Sequence, residues 1–374
     1  MLRKADKILL ISSLILFLVG LIMVFSASNV TSFMQYQASP YHFFSRQLVF
    51  LIISLIGSLF ILKFSTKTYG YISWIAIILL IGLLIIVLIY GTITNQARSW
   101  IELFAGIKIQ PSEFVKVATI VWMAAYCTFN KKGTGFKSYI LLFAIIGLIT
   151  VLIMLQPDLG TASIFVLIVF FMFTSLDISK KVKRNILFSV LGIGLVVIVL
   201  LMNNGVQLFF ERQLARFDYF NPCSEEKFYT TGTQVCNGFI AINNGGLLGK
   251  GLGNSTQKYL YLPEAYTDFI FAIVVEELGL VGATLILLLM FIVLWRIFLI
   301  GKRSNTSHGR LMCYGIFWYI LIHIIINLGG VTGIIPLTGV PLPFLSYGGS
   351  FLMCLVVSLT IVQRVAIESY KNRT

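Results

Sequence analysis

Apolar residues in this chain come in long unbroken runs, not in stripes at helical spacing. A helix that is apolar on every side lies in lipid or in a protein core, and about 17 to 25 such residues cross the roughly 30 Å hydrocarbon layer of a bilayer. Ten runs qualify, near residues 8–27, 47–62, 72–90, 112–129, 138–155, 159–176, 186–203, 268–300, 311–335 and 347–367. The polar breaks between them are short except for residues 204–266, a long loop between spans 7 and 8. With no linker, soluble domain or low-complexity segment, residues 1–374 read as a single membrane domain with one elaborated loop.

Basic residues orient the array, because Lys and Arg collect in short cytoplasmic loops. With the N-terminus inside, the inner segments hold 19 of the 28 Lys and Arg residues, among them Arg3, Lys131, Lys180, Lys302 and Arg373. Eight fall outside, and Lys116 lies within a span. The expected fold class is an all-α polytopic membrane protein: ten transmembrane helices, both termini inside, and the long loop extracytoplasmic. The first span, followed by Ser26-Ala27-Ser28, has the outline of a signal peptide. Its apolar core of about 18 residues is too long for one, and its removal would leave an odd number of spans.

Composition agrees. The chain is 58% hydrophobic with a mean hydropathy of +0.94, and its 11% charged residues are about half the share of a soluble domain. The net charge of +14 follows from basic inner loops facing anionic inner-leaflet lipid; nothing resembles a nucleic-acid face. Of the five cysteines, Cys223 and Cys236 share the long outer loop, where compartment and spacing allow a disulfide. Cys127, Cys313 and Cys354 lie in spans and read as small apolar residues.

Candidate chemistry begins with "YLPEAYTDFIFAIVVEELGL", residues 261–280, which holds Glu264, Asp268, Glu276 and Glu277 in a chain with 14 acidic residues. Ionisable groups beside an apolar run are expensive unless paired or functional. Counting back from Lys302 and Arg303 at the inner interface puts Glu276 and Glu277 at outer headgroup level, with Asp268 about 12 Å further out. On a continuous helix Asp268 and Glu276 share a face and Glu277 does not; a break near Gly279 would change this.

Glu113 and Lys116, three apart on one helix, face the same way. Two readings stay open: an ion pair that holds helices together, or a Lys116 that binds an anionic group in an aqueous cavity while Glu113 orients it. The segment "NLGGVTGIIPLTGVPLPFLSYGGS", 327–350, is rich in glycine and proline. Irregular backbone at membrane depth needs protein or water to satisfy it, so this segment is expected to line a cavity and not to lie on the outer surface. "IQPSEF" (109–114) and "LQPDLG" (155–160) echo each other as helix starts, with proline in the first turn and an acid at the positive end.

A carboxylate at headgroup level suits a general base that takes the proton of an attacking sugar hydroxyl. A lipid-anchored diphosphate leaving at that depth calls for cations, and Arg212, Arg216, Lys250 and Lys258 on the outer loop, with Lys116 below, are the candidates. Glu264, Glu276 and Glu277 divide between support of the site and structure. The glycines of "NNGGLLGKGLGNS", 243–255, let backbone amides approach phosphates. His42, His308 and His323 are scattered, and His323 reads as a bonded packing residue, not a metal ligand. No Ser/His/Asp or thiolate metal arrangement is evident.

"MVFSAS", "IQPSEFVKVA", "QPDLGTA", "NNGGLLGKGLGNSTQKYLYLPEAYTDFIFAIVVEELGLVGA" and "GVPLPFLSYGGS" together resemble, nearly end to end, the SEDS family, the peptidoglycan glycosyltransferases typified by FtsW and RodA. "GNSTQKYLYLPEA" and "SEFVKVATIVW" look closer to the FtsW division branch. The resemblance implies ten spans, an extracytoplasmic site, and polymerisation of lipid II into glycan strands with inversion at the anomeric carbon and release of undecaprenyl diphosphate. It places the family's essential aspartate on Asp268 and its paired membrane acid and lysine on Glu113 and Lys116. It also implies a divalent cation, Mg or Mn, with unknown metal ligands and no organic cofactor. The implied partners are the nascent glycan strand, a class B penicillin-binding protein and other division proteins, and the implied place is the cytoplasmic membrane at the septum. Tyr266 stands where many relatives have histidine, a departure that bears on any proton role for that neighbour. The rivals are a lipid II flippase, a RodA-type elongation polymerase, and a scaffold that only recruits a transpeptidase. A flippase needs determinants on both sides, whereas the unusual polar residues here cluster outside.

Overall fold

A computed structural model of the chain describes residues 5–94, 97–102, 108–129, 139–178, 221–228 and 232–371, with 180, 181, 183–185 and 188. Its elements, in chain order, are α1 (Lys7–Met34), α2 (His42–Ile61), α3 (Thr66–Tyr90), β1 (Thr92–Thr94), β2 (Ala97–Glu102), β3 (Lys108–Ile109), α4 (Pro111–Phe129), α5 (Ile140–Met154), α6 (Leu159–Thr174), α7 (Glu225–Phe228), α8 (Thr233–Gly245), α9 (Ile270–Lys302), α10 (Ser307–Val331) and α11 (Gly349–Lys371).

Six helices, α1, α2, α3, α9, α10 and α11, are long and apolar enough to cross a membrane; α5 and α6 are apolar but shorter. The run expected at 186–203 lies outside the described residues except for residue 188, and the other expected runs fall on helices. The architecture is helical but not purely so. Residues 92–94, 97–102 and 108–109 form a small antiparallel ribbon in the order β1-β2-β3, with Ile101 opposite Ile109. Apolar runs of span length carry no information about such a short polar segment.

Local chemistry starts the helices. The Asp6 carboxylate caps α1 by accepting from Leu9 N at 2.9 Å, and Ser65 and Thr306 do the same for α3 and α10, each satisfying an amide that has no partner within the helix. At this end of the bundle Asp6 also pairs with Arg296 of α9, and its backbone exchanges two 2.9 Å hydrogen bonds with Gln363 of α11. Helices α10 and α11 bury most of their length, while α2, α3 and α9 keep rows of exposed Ile, Leu and Phe. An outward apolar face of this kind is what lipid contact requires.

Two irregularities shape the opposite end. Helix α9 is broken at Gly279, whose φ of 70° and ψ of 178° are not helical. The second is the segment between α10 and α11, which folds inward: Leu342, Phe344 and Leu345 are buried, and Phe344 packs its ring 5.1 Å from Phe17. Gly20, half-way along α1, touches the Phe344 carbonyl, where any side chain would collide. The irregular backbone therefore lies inside the bundle, and Gln47 serves it by donating to Ser346 O and accepting from Gly348 N, each at 3.2 Å.

Candidate active site

Asp268 lies two residues before α9, at the end of the bundle opposite Asp6, and is only 7% exposed. Its backbone and that of the two residues before it are clamped. Tyr266 O accepts from Tyr347 N at 2.9 Å, Thr267 O from Ser346 Oγ at 2.5 Å, and Asp268 O from Asn327 Nδ2 at 2.7 Å. The same Asn327 amide donates to Val340 O at 2.7 Å. One α10 side chain and the Ser-Tyr-Gly-Gly-Ser segment thus hold three successive carbonyls, which fixes the backbone from which the Asp268 carboxylate projects.

Around it the chain gathers helix starts. Gln110, just before α4, donates from its backbone to Ser350 Oγ of α11 at 3.0 Å and from its side chain to Asp158 Oδ2 at 3.1 Å. Asp158 caps α6 through Thr161 N at 3.0 Å, and the adjacent Gly160 lies against Thr338 O. Gly339 follows, close enough that a methyl group on it would stand 3.7 Å from Asp268 Oδ2. The N-termini of α4, α6, α9 and α11 therefore meet at this end, each carrying roughly half a positive charge, an arrangement that favours an anion or a developing negative charge. The two echoing proline motifs are hydrogen-bonded neighbours; Pro111 opens α4 as expected, whereas Pro157 lies ahead of the α6 cap and Asp158 does the capping.

Thr267 Oγ1 lies 2.7 Å from Glu264 Oε2 and 3.3 Å from Asp268 Oδ1, linking the exposed Glu264 to the buried aspartate. Tyr266 is buried with its ring 4.5 Å from Phe43. Burial, with a hydrogen bond to Tyr36, pushes its phenol far above the usual tyrosine range, so it stays neutral. Arg46 of α2 hydrogen-bonds the Tyr347 hydroxyl beside it. Sequence reasoning gave Arg46 no role; its one signal was a positive charge at the start of an apolar run.

The expected cationic partners Lys250 and Lys258 are engaged with carboxylates. Lys250 Nζ meets Glu276 Oε1 and Lys258 Nζ meets Glu277 Oε1, both at 3.2 Å. Glu276, fully buried, also accepts from Asn244, Ser255 and Thr256; Glu277, equally buried, accepts from Ser26 of α1 at 2.7 Å. Lys258 is 2% exposed and donates in addition to Gly253 O at 2.6 Å. Both lysines thus pair with internal carboxylates; Lys258 is buried with its partner, whereas Lys250 keeps about a third of its side chain, 32%, exposed. The backbone explains why: residues 246–251 pair with 276–281 through Lys250 N to Glu276 O, Gly251 N to Glu277 O and Leu280 N to Gly246 O. The glycine-rich loop is thereby sewn onto the break at Gly279. The expectation of a face shared by Asp268 and Glu276 fails for a related reason, since Asp268 lies ahead of the helix, and both Glu276 and Glu277 point inward. Arg212 and Arg216 lie outside the described residues.

Glu113 and Lys116 form a buried ion pair, Oε1 to Nζ 2.8 Å, and Lys116 also meets His323 Nε2 of α10 at 3.1 Å. Lys116 is 1% exposed. Cys223 and Cys236 form a disulfide with Cα atoms 5.2 Å apart, tying residues before α7 to the start of α8.

The family model described as "Cell cycle protein", covering FtsW, RodA and SpoVE, matches residues 6–371. The chain belongs to the FtsW, RodA and SpoVE family. Family relatives similar to it include the probable peptidoglycan glycosyltransferase FtsW of Bacillus subtilis, 38% identical over 98% of this chain and 92% of the relative. Stage V sporulation protein E of the same organism is 37% identical over 96% of each chain. Two solved structures share the fold at 22% identity: a chain of a peptidoglycan synthase complex (TM-score 0.76, covering 98% of this chain and 99% of that one) and RodA of Thermus thermophilus (TM-score 0.70, 98% of each). Within this FtsW, RodA and SpoVE fold, Asn327 and Ser346 join Arg46 as residues near the site that the sequence did not single out, and His323, expected to be a bonded packing residue, is bonded to Lys116. Asn327 within an apolar span and Ser346 in the segment after it carry no charge to draw attention to them.

Proposed function

We propose that this protein is a peptidoglycan glycosyltransferase that polymerises lipid II into glycan strands at the outer face of the cytoplasmic membrane, with ten spans and both termini inside. The observation that carries this reading is Asp268, held by three successive backbone clamps among four converging helix N-termini. Asp268 is the general base: its carboxylate takes the proton of the acceptor sugar hydroxyl as that oxygen attacks the anomeric carbon of the donor. The bond from that carbon to the diphosphate breaks, and undecaprenyl diphosphate leaves with the bonding electrons. Helix N-termini and Arg46 favour the charge that develops there. Arg212, Arg216 and the part-exposed Lys250 remain proposed partners of the diphosphate, whereas the buried Lys116 and Lys258 support the site from within.

The divalent cation implied by the family fits the donor set in part. Among the described residues no three His, Cys, Asp or Glu side chains converge; magnesium usually takes one or two carboxylates with phosphate oxygens and water. Asp268 and Glu264, joined through Thr267, are the residues that would hold it. When bound, it would supply charge compensation to the diphosphate. Relatives named FtsW support a role in division at the septum, and the likeness to a chain of a peptidoglycan synthase complex supports a class B penicillin-binding protein as partner.

The test is glycan synthesis from lipid II by purified protein, wild type against Asp268→Asn, each with and without its transpeptidase and with magnesium or manganese present. Polymer from the wild type with a loss of at least about 100-fold in Asp268→Asn, a typical general-base effect, is the expected result. Full activity in the variant would move the base elsewhere. Silence of a folded wild-type complex would leave a flippase or scaffold.

A further inference from the structure

His323 lies one helical turn from Asn327 on α10, so the two side chains share a face. Asn327 holds the Asp268 carbonyl, and His323 meets Lys116 of α4. The protonation of the ring follows from its partners. His323 Nδ1 lies 2.7 Å from Tyr319 O, and a carbonyl only accepts. Nδ1 therefore carries the hydrogen, which leaves Nε2 as an acceptor for the Lys116 ammonium at 3.1 Å. A second proton on the ring would set one cation against another.

Packing alone accounts poorly for this cluster. Glu113 Oε2, Ser112 Oγ, the Tyr319 hydroxyl and Asn327 Oδ1 are buried and have no hydrogen-bond partner among the described residues. Each such atom costs about 1–3 kcal/mol, so a device meant only to join α4 to α10 would be better made from apolar side chains. What the arrangement does provide is position. Glu113 Oε1 and His323 Nε2 hold the ammonium from α4 and from α10, and the Tyr319 ring centroid lies 5.8 Å from it.

We propose that His323 is a positioning residue for glycan polymerisation: it accepts from Lys116 and, through α10 and Asn327, keeps the Glu113–Lys116 pair in register with Asp268. This rests on the polymerase function proposed above. His323 touches no reacting atom and acts through Lys116.

The test compares His323→Gln, His323→Asn and His323→Leu in polymerisation assays with the cognate transpeptidase, alongside Lys116→Met and the double variant His323→Leu/Lys116→Met. A glutamine amide reaches the Nε2 position and accepts from Lys116; the shorter asparagine does not. His323→Gln is expected within about fivefold of wild type, and His323→Asn and His323→Leu about 10- to 100-fold down in kcat with KM for lipid II changed less than about threefold. The double variant is expected to be no slower than Lys116→Met alone, the non-additivity of two residues in one chain of action. Melting temperatures identify any variant that fails to fold, and the Gln against Asn contrast stands without His323→Leu. Equal activity of the Gln and Asn variants, or fully additive losses, would overturn the role of His323 while leaving the polymerase standing. A folded wild-type complex that makes no glycan would overturn both.

Discussion

The side-chain amide of Asn327 donates both of its hydrogens within 2.7 Å, one to Asp268 O and one to Val340 O. One residue thus joins the start of α9 to the irregular segment after α10. Asn327→Leu would remove the donor to both carbonyls, at about 1–3 kcal/mol for each hydrogen bond lost in a buried place. The expected outcome is a lowered melting temperature in detergent together with a loss of glycan synthesis of at least about tenfold. Unchanged melting would show that the clamp is dispensable.

Reversal of the buried pair, Glu113→Lys with Lys116→Glu, separates an interchangeable ion pair from a directional one. A simple pair tolerates exchange, but the reversed carboxylate would face His323 Nε2, which has a lone pair and no hydrogen. The exchange is expected to be inactive and destabilised by an amount comparable to the roughly 3–5 kcal/mol of breaking a buried pair. Thermal unfolding and the lipid II assay check it, and recovery of wild-type behaviour would contradict the orientation derived for His323.

Lys258 and Lys250 offer a graded comparison. Lys258 is 2% exposed against a fully buried Glu277, whereas Lys250 is 32% exposed against Glu276. Lys258→Met is therefore expected to cost about 3–5 kcal/mol, as for removal of one partner of a buried pair, and Lys250→Met distinctly less. Adding Glu277→Gln to Lys258→Met should recover part of the loss. If both single variants melt like wild type yet bind lipid II poorly, the lysines are ligands of the substrate after all.

Counting thiols tests the loop. Alkylation of denatured, unreduced protein should add three labels, on Cys127, Cys313 and Cys354, and reduction beforehand should add five. Replacing Cys223 and Cys236 by serine opens a loop of 13-residue separation, for which chain entropy predicts a loss of about 3 kcal/mol. Five labels without reduction would place free thiols at both positions.

The sequence by itself determined where the long apolar helices among the described residues lie, because apolar runs of span length have few other uses, and it marked Asp268, Glu113 and Lys116, because charge beside apolar sequence is costly enough to need a reason. It also marked the Gly- and Pro-rich segment before α11 as internal. Only the tertiary structure decided which charges meet. Lys250 and Lys258 looked available because nothing local shows that residues 246–251 pair with 276–281, a contact made through backbone and hence silent in side-chain identity. His323 and Asn327 were equally hidden: their partners lie on α4 and before α9, far away along the chain. Hydropathy is additive along a sequence, so spans can be summed from it, whereas a buried ion pair or a clamped carbonyl depends on two distant segments meeting at about 3 Å.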